Sequence, residues 1–424
     1  MPLSENITLL TNEFHGSLLP ETLQIIIYLS PIALMILLAW VFWNLWMRYI
    51  RGKFYNSLEY SVLELKLPKE TMKSPLAMEV VLGAIHNTAD GGYVARLWRG
   101  EYRPYYSLEL VSIEGQVKFF IWTESRRKGG LMSALYSQYP GIEIYEHEDY
   151  THGVHYDAKT MKIWAAEFVF TEKNPALPIK TYVDYGLDKD PKEELKVDPL
   201  SYYIEHLSSV PLNQQNWMQI GIRAHKKEKR KHGHIFTKHD PYKDAADKLI
   251  NELMGRDAKT RLPSTKTEEG RFVPIKTSTV EDEVLKALQR SLSKLPFDAV
   301  IRTIYIAPRD QFNTPFGIGG NISGMKQFST PHLNGLKPNG DKWIHQLGEP
   351  WQDYKDIRRN QLSKKVLEAY KLRSFFYPPF ETEAMVMNAE ELATIYHLPG
   401  SVAASPGLER VPSKKAEAPS NLPL

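Results

Sequence analysis

The feature that most constrains this chain is a 25-residue stretch without a single charge, Leu23–Met47, reading LQIIIYLSPIALMILLAWVFWNLWM. About 20 apolar residues suffice for a helix to cross the hydrocarbon of a bilayer. The run therefore predicts one transmembrane helix over 23–47. Trp40, Trp43 and Trp46 stand at its C-terminal end, with Arg48, Arg51 and Lys53 directly after. Indoles and basic side chains in that order mark a membrane interface in contact with lipid headgroups. Pro31 lies inside the run, where a membrane helix tolerates it. Residues 1–22 carry Glu5, Glu13 and Glu21 and no Lys or Arg. The positive-inside bias then predicts an extracytoplasmic segment 1–22 and a cytoplasmic body. A cleaved signal peptide would have basic residues before a shorter apolar core and small residues after it, whereas the bulky WNLWMRYIRGKFY follows here.

Beyond the anchor the composition is that of a folding chain, with 42% hydrophobic and 24% charged residues. A length of 424 residues suggests two domains. The net charge of +3 gives no global field toward nucleic acid. The absence of cysteine removes disulfides, thiol chemistry and cysteine-ligated metal.

The first domain is expected over 58–150. Tyr60–Leu67 alternates as a strand; Ser74 and Pro75 open a helix carrying Leu76, Val80, Leu82 and Ile85. Tyr105–Ile113 and Gln116–Thr123 flank Glu114-Gly115 as a hairpin. A helix over Arg127–Tyr139 and a strand over Ile142–Glu146 complete a β-α-β-β-α-β order, the ferredoxin-like pattern. A two-residue hairpin loop sets Ile113 opposite Gln116 and Leu110 opposite Phe119. One face then carries Leu108, Leu110, Val117, Phe119 and Ile121; the other carries Val111, Ile113, Lys118, Phe120 and Trp122. Two occupants fit that second face: the chain's own second domain, or a partner docking on those five side chains. Base stacking is a weaker fit, because QVKFFIWTE lacks the glycine-bearing basic–aromatic pattern of RNA-recognition domains.

The second domain is expected over 156–398, also α+β, as a diverged copy of the first if the alternation of elements reflects a repeat. Its strands are Met161–Thr171, Trp217–Ala224, Val300–Ile306 and Met385–Met387; its helices start at Asp198-Pro199, Tyr242, Thr279, Asp353 and Asn388. Residues 399–424, rich in Pro, Ala, Ser and Lys, predict a disordered tail.

Two patterns suggest chemistry. In GIGGNISGMK, Gly319 and Gly324 have Walker A spacing, but Met325 separates Gly324 from Lys326 and no Ser or Thr follows the lysine. It reads as a Gly-rich surface loop. His225, His232, His234 and His239 lie in HKKEKRKHGHIFTKH, where surrounding positive charge opposes a divalent metal. Lys226, Lys227, Lys229, Arg230 and Lys231 are the candidate contacts to an anion or nucleic acid, through salt-sensitive, sequence-blind binding. No nucleophile elbow, HExxH or dinucleotide fingerprint occurs, and no metal or cofactor is called for.

Several segments together, among them LELKLPKETMKSPLAMEVVLGAIH, YYSLELVSIEGQVKFFIWTE, YSQYPGIEIYEHEDY, IKTYVDYGLDKDPKEELKVDPL and MVMNAEELATIYHLPG, resemble an uncharacterised membrane family of candidate-phyla bacteria. That family is similar to the region preceding the motor in type IV secretion and conjugation ATPases. The resemblance implies a single-pass protein of the bacterial inner membrane, a non-catalytic adaptor that docks a separate cytoplasmic ATPase or copies of itself. In the long relatives the EELATIYH element and a Pro-Ser-Lys-Lys linker lead into a Walker A strand. Here the sequence stops at Leu424, so no catalytic residue carries over. The alternative is a membrane-tethered nucleic-acid-binding module acting through the basic cluster.

Overall fold

The computed structural model describes residues 21–68, 73–172, 174–189, 197–227, 229–230, 238–255, 278–340, 342–343, 347, 351, 353–400, 407–408 and 410–411, with backbone alone at 21–27, 229–230, 238–239 and 411. Of the expected segments, 1–22 lies outside these residues but for 21–22, and 399–424 but for 399–400, 407–408 and 410–411, where Leu408 is buried and Arg410–Val411 pairs as a strand with Leu67 and Pro68. The chain divides into two compact units, 1–57 with 91–102, and 58–90 with 103–424.

In the first unit, helix α1 (Glu21–Asn56) runs nine residues past the uncharged stretch. It is long and apolar enough to cross a membrane, and its apolar side chains from Tyr28 onward are mostly exposed within the chain. The one amide in the run's last turns is satisfied locally: Asn44 Nδ2 donates to the Trp40 carbonyl at 2.8 Å.

The second unit is mixed α and β. In chain order it contains β1 (Tyr60–Pro68), α2 (Leu76–Ile85), β2 (Tyr105–Ile113), β3 (Gln116–Glu124), α3 (Lys128–Gln138), β4 (Glu143–His147), β5 (Met161–Phe170), α4 (Leu200–Ser208), β6 (Gln215–Ala224), the short pair β7 (Lys229–Arg230) and β8 (Lys238–His239), α5 (Pro241–Leu253), α6 (Thr279–Leu292), β9 (Pro296–Pro308), α7 (Gly320–Lys326), β10 (Leu336–Pro338), α8 (Ile357–Lys371), β11 (Met385–Asn388), α9 (Ala389–Ile395) and β12 (Arg410–Val411). Apart from β7 and β8, the described strands form one sheet, antiparallel except where β12 joins β1.

The regions expected as separate domains share this sheet. β2 and β6 pair antiparallel over their full length, from Tyr105 opposite Arg223 to Ile113 opposite Gln215. Outward from that junction the order is β2-β3-β1-β4 on one side and β6-β9-β5-β10 on the other. Each half thus places its second, third, first and fourth strands in the same sequence. A helix follows the first strand (α2, α4) and the third strand (α3, α7) in both. The Glu114-Gly115 turn of the first half is replaced in the second by the β7–β8 pair, α5 and α6.

Helices α2, α3, α4, α7 and α9 cover one face of the sheet. Leu65, Leu110, Phe119, Met218, Ile301 and Phe168 point into that core from six strands, against Met78, Val81 and Leu82 of α2, Leu131 and Leu135 of α3, Tyr203 and Leu207 of α4, Met325 of α7 and Leu392 of α9. The expected register of the hairpin is observed, with Ile113 opposite Gln116 and Leu110 opposite Phe119. Glu114 and Gly115 both take positive φ, 54° and 85°, the geometry of a two-residue hairpin turn. On α2 the buried stripe differs from expectation: Leu76 and Val80 face out, and Met78 and Val81 face in. Apolar residues on both sides of this helix leave the choice of face to tertiary packing.

Candidate functional site

Side chains alternate along a strand, so the far face of the sheet is set by the same registers. One row crosses six strands there: Glu64, Phe120, Glu109, Gln219, Arg302 and Glu167. All six are buried. Buried carboxylates must be paired or hydrogen-bonded to remain charged, and the chain brings its own partners to each.

Arg373, at the end of α8, reaches Glu109 with two parallel contacts, Nε to Oε1 at 3.0 Å and Nη2 to Oε2 at 3.1 Å. The same guanidinium pairs with Asp149. Arg373 has φ of 47°, an uncommon conformation for a residue with a side chain, and it breaks α8 where the guanidinium turns toward the sheet. Glu109 also accepts from Ser107 Oγ, Gln219 Nε2 and Tyr150 OH, each at 2.8 Å. Tyr150 OH lies 2.9 Å from Tyr370 OH. Burial pushes both phenols well above their ordinary range, with the Glu109 charge adding to the effect. For Asp149, burial alone would raise the carboxyl, but Arg373 outweighs it and holds the group below its usual value.

The second cluster is Arg302 with Glu167. Nη2 and Nε of Arg302 meet Glu167 Oε1 at 2.7 and 3.2 Å, and Nη2 also donates to the Ser374 carbonyl at 3.2 Å. Lys342 Nζ and Thr382 Oγ1 approach the same carboxylate at 3.4 and 3.1 Å. Burial opposes the Glu167 charge, yet Arg302 and Lys342 keep its carboxyl below the ordinary range. This arrangement pairs the buried carboxyl groups of Glu109 and Glu167 with guanidinium groups and bolts α8 and residues 372–382 to the sheet.

The five side chains expected to dock a partner are covered by the chain itself. Phe120 stacks on Tyr150 at 5.0 Å, and Trp122 stacks on Tyr60 at 4.4 Å. Val111, Phe120 and Trp122 are buried, so they are core residues; Ile113 and Lys118 are half-buried at the strand ends, with Lys118 paired to Glu64 at 3.2 Å. The occupant of this face is therefore the chain's own second region together with the segment after β4.

The basic cluster is divided. Lys226 pairs with Asp90 at 3.0 Å, and Lys227 is exposed. Lys229 and Arg230 lie on β7, paired with Lys238 and His239 of β8; Lys231, His232 and His234 lie outside the described residues. His225 lies between Asp298 Oδ1 at 2.5 Å and Asp240 Oδ1 at 3.2 Å. Of the membrane-interface set, Trp40, Trp43 and Arg48 are exposed on α1, and Trp46 and Arg51 are half-buried.

GIGGNISGMK is a π-helical turn, Pro315–Gly319, running into α7 rather than a surface loop. Its glycines admit aromatic rings: a Cβ on Gly317 would lie 2.0 Å from Tyr305, and one on Gly324 2.3 Å from Tyr203.

Sequence reasoning missed Glu109, Tyr150, Glu167, Arg302 and Arg373. A trace was present, since Glu109, Glu167 and Arg302 each interrupt a run of apolar and aromatic strand residues where both faces are covered. Nothing local marks Arg373. No protein-family model matches the chain, and no curated protein matches it.

Proposed function

We propose that this protein is a membrane-anchored, non-catalytic structural subunit of a type IV secretion or DNA-transfer-like assembly, holding a cytoplasmic ATPase or further copies of itself at the bacterial inner membrane. The observation that carries the reading is the joining of a spanning-length helix, three residues before β1, to a body whose conspicuous charged groups are consumed in bolting it together. Glu109 and Arg373 are buried and satisfied together with half-buried Asp149 and Tyr150, which suits a stiff scaffold. The Lys and Arg after the uncharged run 23–47, against the acidic residues before it, support an outside N-terminus.

Each half of the sheet reads as a ferredoxin-like unit: antiparallel strands with the fourth, first, third and second adjacent, and helices on one face. Two such units joined through their second strands make a continuous platform. Fold alone does not assign function, so the test is one of company. Tagged full-length protein, crosslinked in native membranes and analysed by mass spectrometry, is expected to bring down a secretion-type ATPase. Nucleic acid without such an ATPase would replace this reading with the tethered binding module. A monomer recovered with neither would overturn both.

A further inference from the structure

Residues 91–102 belong to the same compact unit as α1. They form a short helix, Gly92–Val94, that leads into a π-helical turn, Ala95–Arg99. Trp46 Nε1 donates to the Leu97 carbonyl at 3.2 Å, and the Trp46 and Trp98 rings meet edge to face at 5.9 Å. Phe54 and Tyr102 make a similar contact at 5.2 Å. Gly100 closes the turn with φ of 72°, so tight on α1 that a Cβ there would lie 2.4 Å from the Ile50 carbonyl oxygen. Ile50 is accordingly 5% exposed on a helix whose other apolar residues are mostly open.

This docking fixes a depth. Trp46 is the penultimate residue of the uncharged run, and with a rise of about 1.5 Å per residue, Ile50 lies roughly 6 Å further along the axis. The segment is thus held at the end of the apolar stretch, where the tryptophan belt gives way to basic residues. At that level it leaves Tyr93, Val94 and Trp98 open, at 71%, 65% and 69% exposure. Charge adds a second indication. Arg48, Arg51, Lys53, Arg96 and Arg99 gather in residues 48–57 and 91–102 with Glu101 as the lone acid, which pairs with Arg99 at 3.4 Å.

We propose that residues 91–100 form a second membrane contact, an interfacial wedge that inserts Tyr93, Val94 and Trp98 among the lipid headgroups beside α1 and sets its basic neighbours against anionic phosphates. Aromatic and apolar side chains flanked by arginine are the chemistry of that zone. The wedge requires that α1 span the bilayer.

The chain has no cysteine, so one introduced thiol gives one labelled position. Full-length Val94→Cys, Trp98→Cys, Leu37→Cys and Tyr145→Cys would carry an environment-sensitive fluorophore in phosphatidylcholine vesicles with and without phosphatidylglycerol. Val94→Cys leaves the Trp46–Trp98 contact intact, and Tyr145, exposed on β4, reports the body. The expected result is deep acyl-chain quenching at Leu37 and headgroup-level quenching at Val94 and Trp98. Aqueous iodide should quench those two several-fold less than Tyr145, with protection strengthened by phosphatidylglycerol. Val94 and Trp98 labels as open to iodide as Tyr145, with Leu37 still protected, would overturn the wedge and leave the spanning helix standing. Iodide access at Leu37 would remove the spanning helix itself.

Discussion

The two halves of the sheet repeat a strand order and diverge in what they place at matching points of the far face. The first strands carry Glu64 and Glu167, the third strands Phe120 and Arg302, and the second strands Glu109 and Gln219. In the first half the third-strand position is aromatic and stacks on Tyr150; Glu64 turns to Lys118 near the rim. In the second half the third strand supplies a fully buried guanidinium, and Glu167 is tied to it. One topology thus accepts either an apolar or an ionic solution at the same place, provided every buried charge is matched. Glu109, at the junction of the halves, is matched by Arg373 from outside the repeat.

The largest effect should come from that junction. Arg373→Met would leave Glu109 and Asp149 without their shared cation, and removing one partner of a buried pair costs about 3–5 kcal/mol. A corresponding fall in the urea midpoint of the full-length protein in detergent is expected. A loss under about 1 kcal/mol, the size of an ordinary surface substitution, would mean that the halves are held without the bolt.

Next in size is a conversion of the second half to the first half's solution. Arg302→Leu alone should cost about 3–5 kcal/mol by stranding Glu167. Arg302→Leu with Glu167→Leu should regain most of it, because apolar replacement of a whole buried pair is often neutral; Lys342 is exposed enough to rehydrate. Urea titrations of both variants decide the matter. A double variant no better than the single one would show that the ionic solution is required in the second half.

Helix packing separates the halves on the other face. Gly324→Ala in α7 would drive a methyl group into the Tyr203 ring, and overpacking of this kind costs about 1–3 kcal/mol. Gly130 in α3, the corresponding helix, has open space for 4 Å around the place a Cβ would take. Gly130→Ala should instead gain roughly 0.5–1 kcal/mol through helix propensity. Thermal midpoints moving in opposite directions would confirm the contrast.

These differences explain what the sequence could convey. The Glu114-Gly115 turn was legible with its register, because a two-residue loop fixes pairing locally. So were the helix start at Thr279 and the cap at Asn388; reciprocal capping boxes form there between Ser278 and Glu281 and between Asn388 and Glu391. The helix at 320–326 was not, since glycine is a poor helix former and the reason for Gly317 and Gly324 is a pair of rings brought in by other elements. Pro296 reads as a stop for α6, yet it also begins β9, where a strand's first residue tolerates the missing N–H. The repeat shows in the alternation of elements but not as residue identity, because its matching positions hold different chemistry. The Arg373 bolt depends on a left-handed backbone and a long-range approach, and neither leaves a local pattern.

The smallest expected effect is a pH dependence carried by the second half. His397 Nε2 lies 3.1 Å from Asp198 at the start of α4, with Nδ1 2.9 Å from the Ala393 carbonyl. His225 sits between Asp298 and Asp240, and Asp298 also faces Arg223 at 2.8 Å and Arg103 at 3.7 Å. Burial alone would lower both histidines, but their carboxylate partners raise them above the ordinary value near 6.5. Asp198 and Asp298 are held below 3.8, burial being outweighed by His397 and by His225 with Arg223. The native state therefore grips the imidazole protons more tightly than the unfolded chain does. Their stabilisation is complete below about pH 6.5 and fades as pH rises through the raised native values. The aspartates add stability that is complete above their ordinary value and fades as pH falls through the lowered one. Urea midpoints should hold level between these limits and decline on the alkaline side. His397→Gln and His225→Gln should each flatten that decline while lowering the plateau, and the two together should flatten it further. An alkaline decline unchanged in the double variant would assign it to groups outside these pairs, and would make the first half, with its tyrosines around Glu109, the next place to look.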